Sequence, residues 1–240
     1  DTELYEAGIE RIYDIFITDD LLLKTDKFIQ DVTRGLSITE PISTADFHYH
    51  LGNAVLKDTP SPQLSFVAQA AKHGVPIFVS SPGDSSIGMN LSYLKLLGEG
   101  IIIDTDLDVL QSTAIVFQSK KNGVVSIGGG SPKNFYMQTQ PTLAQILDIN
   151  KGGHDYFIQI TTDAPQWGGL SGATPSEAIS WGKVKKEEMK NHVVVYSDAT
   201  IAIPILAGYI LSERKPRKKK HLYSSMPAFL ADLKRRVKQR

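Results

Sequence analysis

Five short apolar runs constrain this chain more than any other feature, because each ends in small or polar residues and is followed by a helical pattern. Residues 75–79 run into Ser80-Ser81-Pro82-Gly83-Asp84, 101–103 into Asp104, and 123–127 into Gly128-Gly129-Gly130. Residues 156–160 lead into Thr161-Thr162 and 193–196 into Ser197-Asp198. Strands apolar on both faces that alternate with helices predict an α/β fold: a doubly wound, mostly parallel, Rossmann-like sheet with helices on both faces. Ahead of them, Tyr5, Ile9, Ile12 and Phe16 recur at helical spacing, as do the apolar residues of 21–36. A helical lead-in is therefore expected over about the first 63 residues, with 44–56 a helix capped by Ser43 or Thr44. The expected division is an α/β domain over 1–210 and a basic linker with a terminal helix over 211–240. No internal repeat is present.

In such sheets ligands bind where strand C-termini meet helix N-termini. Gly128-Gly129-Gly130, ahead of Ser131-Pro132, serves equally as a tight turn or as backbone that approaches a ligand closely; a GxGxxG pattern is absent. Trp167-Gly168-Gly169-Leu170-Ser171-Gly172-Ala173 is too glycine-rich for ordinary core and suits a substrate-handling loop. Beyond it, Lys183 lies among apolar and aromatic neighbours, Trp181 among them. Alone, such a lysine reads as a surface residue whose stem covers the tryptophan. Asp84 and Asp198 each follow an apolar run and precede a helix, which suits an N-cap, a ribose contact, or both.

The run Ser171-Gly172-Ala173-Thr174-Pro175-Ser176-Glu177-Ala178-Ile179-Ser180-Trp181-Gly182-Lys183 resembles the signature of the deoxyhypusine synthase family. Three further motifs stand in the family's order: Asp84-Ser85-Ser86-Ile87-Gly88, Gly128-Gly129-Gly130, and Tyr196-Ser197-Asp198-Ala199. The resemblance implies a catalytic Lys183 that forms a covalent imine with an aminobutyl group taken from a polyamine, spermidine or putrescine. It places Glu177, Trp181, Gly168 and Gly169 at the substrate. It places Asp84, Gly129, Thr162, Asp163, Asp198 and Ala199 at NAD, which takes a hydride and later returns it. It also implies a homo-oligomer with active sites between subunits, and the lack of cysteine fits a cytoplasmic address. The match leaves out the family's N-terminal third, so the chain is expected to be part of a longer protein.

Three positions depart from the eukaryotic pattern. Met89 and Leu170 stand where aspartates normally lie, and Asn134 where a histidine acts as general base. An amide cannot accept a proton near neutral pH, so another group must substitute. Fewer carboxylates weaken the attraction for a long polycation. Gly-Gly-Gly-Ser-Pro-Lys-Asn resembles the bacterial branch, so homospermidine synthesis from putrescine is the first alternative, a protein-lysine acceptor is less secure, and a non-catalytic binding homologue is the second alternative.

Charge is unevenly placed although the formal total is zero. Residues 211–240 carry eleven Lys and Arg against Glu213 and Asp232, about +9, so the preceding 210 residues carry about −9. The tail reads as a solvated linker plus an amphipathic helix over 226–237 that docks on the protein's own acidic surface or on a neighbour. Aromatic interleaving is thin, which makes nucleic acid the lesser expectation. The most apolar run, 200–211, falls short of the roughly 20 residues that cross a bilayer. Without cysteine there is no disulfide, thiolate nucleophile or Cys-based zinc site. His48-Tyr49-His50 places its two imidazoles on diverging faces of a helix, so no metal is expected. Ser85 and Ser171 lack a GxSxG elbow.

Overall fold

The structure, a computed structural model, describes residues 1–215 and 217–239. The chain forms two compact units: 1–72 with 81–104, and 73–80 with 105–240.

The first unit holds α1 (Thr2–Glu6), β1 (Ile9–Ile12), β2 (Ile15–Thr18), α2 (Asp19–Arg34), α3 (Thr44–Asp58), α4 (Phe66–His73) and α5 (Ser86–Leu96). The helical spacing over Tyr5 to Phe16 is misleading there. Gly8 and Tyr13 both take positive φ, which stops α1 and folds the isoleucine-rich segment into an antiparallel hairpin pairing Ile9 with Thr18 and Ile12 with Ile15. α3 is capped by Ser43, whose hydroxyl accepts from Asp46 N while the Asp46 carboxylate accepts from Ser43 N. Ile29, Phe47 and Leu51 form the core of this unit. Residues 101–103, expected as a sheet strand, make only one bridge among the described residues, Ile103 to Ile42, and the side chains of Ile101 and Ile103 pack into that core while Ile102 is exposed.

The second unit holds α6 (Thr105–Gln118), β3 (Gly123–Ile127), α7 (Ser131–Met137), α8 (Thr139–Pro141, continued by a π-helical turn Thr142–Ile146), β4 (Tyr156–Thr161), α9 (Pro175–Ser180), β5 (His192–Tyr196), α10 (Ala199–Glu213) and α11 (Leu222–Lys238). Its sheet is parallel in the order β3-β4-β5, with Val125 opposite Ile158 and Ile158 opposite Val193. Residues 75–79, also expected as a strand, join no ladder: Pro76 has no N–H to donate, and Phe78 instead places its ring 6.1 Å from that of Phe135.

The two faces of the sheet differ. On one, Phe157 packs with Met137 and Val184, flanked by Val124, Ala178 and Ile179. On the other, α10 lies over Ile158, Ile160, Val193 and Val195, yet buries none of its own residues. α11 lays Phe229, Leu230, Leu233 and Val237 against Ala114 and Val116 of α6. The terminal helix is thus held by apolar packing, with polar ties from Gln118 Nε2 to Asp232 Oδ2 at 3.0 Å and from Tyr223 N to Gly74 O at 2.9 Å. Among the described residues no helix is long and apolar enough to cross a membrane. Pro216 of the basic linker and Arg240 of the tail lie outside the described residues.

Candidate functional site

α9 is built by local chemistry. Pro175 occupies its first turn, and Thr174 and Glu177 form a reciprocal capping box, with Glu177 Oε1 accepting from Thr174 N at 3.3 Å. The helix stops at Trp181. Gly182 then takes φ +65°, a left-handed turn that an L side chain resists, and delivers Lys183 back toward the sheet. The Lys183 backbone is held on both sides, its N–H donating to Ala178 O at 3.1 Å and its carbonyl accepting from His154 N at 2.9 Å. The next residue but one repeats the tie, because Lys185 N donates to His154 O at 3.1 Å and its ammonium pairs with Asp155 at 2.6 Å.

Lys183 projects into a cavity of about 400 Å³. Its Nζ donates to Asn134 Oδ1 at 2.8 Å and lies 5.6 Å from the centre of the Trp181 ring. Burial disfavours the ammonium and moves the pKa of Lys183 below the ordinary lysine value. Trp181 is 65% exposed, so the desolvation comes from the inner wall that includes Met137, Phe157 and Ala178. Glu177, Gly168, Gly169 and Leu170 line the same cavity. Lys183, Asn134, Glu177, Trp181, Gly168 and Gly169, singled out in the sequence, therefore meet in one place. A residue the sequence reading passed over is there too: Lys133, whose Nζ donates to Ala173 O at 2.9 Å. Its signal was its place directly before Asn134.

A second group gathers at the C-terminal edge of the sheet. A Cβ on Gly129 would stand 2.5 Å from Ser171 Cα, so glycine is required for the two loops to approach this closely. Asp163 fastens the arrangement by accepting from the Ser171 hydroxyl through Oδ2 and from Ala164 N through Oδ1. Thr162 and Asp163 follow β4, and Asp198 and Ala199 open α10. Asp198 caps that helix, Oδ1 accepting from Thr200 N at 2.8 Å and from its hydroxyl, which with the backbone bond lowers its pKa. Open space stands over Gly128 and Gly130. Backbone amides and a carboxylate at an open sheet edge fit a dinucleotide's pyrophosphate and ribose hydroxyls.

Asp84 and Met89 belong to the first unit. Both are exposed, and the cap of α5 is Ser85, which accepts from Gly88 N at 2.9 Å, not Asp84. Among the described residues no three His, Asp or Glu side chains converge as metal ligands.

Residues 1–210 match the family model of deoxyhypusine synthase. The chain belongs to the deoxyhypusine synthase family. Among relatives in this family, a deoxyhypusine synthase-like protein of Nostoc punctiforme is 45% identical over 242 residues, covering 98% of this chain and 62% of the relative. Another from Thermosynechococcus vestitus is 46% identical over 233 residues, 93% of this chain and 58% of the relative. The chain thus spans about three fifths of the length of these deoxyhypusine synthase-like proteins. A crystal structure described as "a putative deoxyhypusine synthase from Entamoeba histolytica" shares the fold, with a TM-score of 0.57 at 16% identity over 88% of this chain and 60% of that one.

Proposed function

We propose that this protein is an NAD-dependent aminoalkyl transferase in which Lys183 carries the transferred group as an imine. The observation that carries this reading is the environment of Lys183. An amine nucleophile must be uncharged, and burial lowers its proton affinity while Asn134 fixes the nitrogen at 2.8 Å. Asn134 acts by accepting a hydrogen from Lys183, which leaves the nitrogen lone pair free to point at substrate.

Glu177 and Trp181 recognise the cationic amine, one by charge and one by its ring face. Gly168 and Gly169 keep the opposite wall thin. Leu170 replaces charge with apolar surface. That favours a short donor, spermidine or putrescine, and a small amine acceptor; homospermidine formation from putrescine is one form of this reaction, and a protein lysine is another acceptor to be tested.

Gly129, Thr162, Asp163, Asp198 and Ala199 would hold NAD. When bound, it supplies reversible hydride acceptance at the amine carbon. An assembly of several copies in the cytoplasm belongs to the same reading, supported by the uncovered apolar side chains of α10.

The test is mass spectrometry of the protein incubated with NAD and either amine, then treated with borohydride. We expect an aminoalkyl adduct on Lys183 that is absent from Lys183→Arg, since guanidinium does not form the imine. No adduct with either amine, while NAD binding is shown separately, would sink the proposal.

A further inference from the structure

Imine chemistry at Lys183 leaves one task unassigned. When the Lys183 nitrogen adds to an iminium carbon, a C–N bond forms and that nitrogen becomes positively charged. It must shed a proton before the other amine can leave. The departing nitrogen must take a proton as its own C–N bond breaks and its electron pair returns to it. One proton moves from one nitrogen to the other, and no electrons are gained or lost.

Among the described residues, three titratable side chains line the cavity: Lys133, Glu177 and Lys183. Asn134 cannot take the proton. Glu177 Oε1 accepts from Thr174 at the N-terminus of α9, and the carboxylate that faces the cationic amine is a far weaker base than an alkylamine. A proton exchanged between two alkylamines passes at least cost through a third of matching affinity. Lys133 is that group. It is fixed by its bond to Ala173 O and immediately precedes Asn134, the partner of Lys183.

We propose that Lys133 is the proton-transfer partner of Lys183, taking the proton the Lys183 nitrogen sheds and returning it to the amine that departs. This rests on the assignment of Lys183 as the imine-forming residue. The electrostatics agree: burial lowers the Lys133 pKa below the ordinary lysine value, Glu177 and Asp163 pull it upward, and the positive charge of Lys183 lowers it further.

The experiment needs no cofactor. The protein is incubated with butyraldehyde, trapped with borohydride at intervals, and the Lys183 peptide is quantified across pH for wild type, Lys133→Arg and Lys133→Met. Arginine keeps the positive charge and a donor for Ala173 O but does not release its proton. We expect Lys133→Arg to slow labelling of Lys183 roughly 100-fold. We also expect Lys133→Met to be restored in part by trimethylamine, a base that cannot form an imine, with no such gain in wild type. Wild-type labelling by Lys133→Arg, or a Lys133→Met deficit that added base leaves untouched, would overturn the proposal and reduce Lys133 to an anchor for the 168–174 loop. Absence of Lys183 labelling in wild type would overturn the assignment of Lys183 itself, and this proposal with it.

Discussion

His154 lies fully buried behind the site, its ring stacked on Tyr136 with centroids 4.6 Å apart and its Nδ1 2.5 Å from Asn122 Oδ1. Among the described residues its Nε2 has no hydrogen-bond partner. Burial pushes the imidazole pKa down to about 4, against an opposing pull from Tyr136 O and Asp155, while Lys185 lowers it further. The unfolded imidazole takes a proton near pH 6.5, so between about 6.5 and about 4 the unfolded chain binds more protons and the folded state loses stability as pH falls. The full interval is worth roughly 3 kcal/mol. His48 and His192, also lowered by burial, add to the same slope. Melting temperatures of wild type and His154→Gln should therefore converge as pH drops through this window. Parallel curves would show that His154 does not carry the dependence.

Among the elements, the segment ahead of β4 and the segment after α9 form one clamp, and Lys183 is the residue between its jaws. The Asp155 side chain is only 3% exposed, and although burial alone would raise its pKa, Lys185 and Asn122 N hold it below the ordinary value. Lys185→Met strips that carboxylate of its cation at a cost of about 2 kcal/mol. Because the loss is felt in the backbone of residues 183–185, turnover should fall several-fold while the KM for the amine holds. A rise in KM alone would place Lys185 in substrate binding instead. Much of this region was legible in sequence, because Thr174, Pro175, Glu177 and Gly182 act on their own turns and need no distant partner. That β3, β4 and β5 form a parallel sheet was legible from apolar runs that alternate with helical patterns, but their order was not, since strand pairing joins residues far apart in the chain. The clamp was not, since nothing in His154-Asp155 announces a bridge to residues 183–185. Nor was the hairpin at Ile9–Ile12 and Ile15–Thr18, where isoleucines three apart satisfied a helical spacing and only the positive φ of Gly8 and Tyr13 decided otherwise. Residues 75–79 and 101–103 looked like strands because apolar runs of that length serve equally well as buried extended chain.

For the molecule as a whole, the notable surface is α10, where Ile201, Ile205, Tyr209 and Leu211 are each more than 60% exposed beside half-exposed Val193. Isolated exposed apolar residues are ordinary, but a contiguous set on one helix marks a contact. Sedimentation velocity should report a multiple of the 26.4 kDa chain mass, and Ile205→Lys should shift it toward the monomer. A wild-type monomer at high protein concentration would refute self-association. The opposite charges of body and tail add no strong electrostatic latch to this picture, because α11 is held on α6 by leucine, phenylalanine and valine.

That mode of attachment separates the integrity of the fold from the continuity of the chain. The cations between Arg214 and Lys220 make the linker an obvious target for trypsin-like proteases. A cut there would not release α11, since Leu233, at 4% exposure, stays buried against its neighbours and Tyr223 N still donates to Gly74 O at 2.9 Å. The nicked protein would run as two bands on a denaturing gel and elute as one species from a sizing column, its last helix bound as a peptide ligand of the domain that made it.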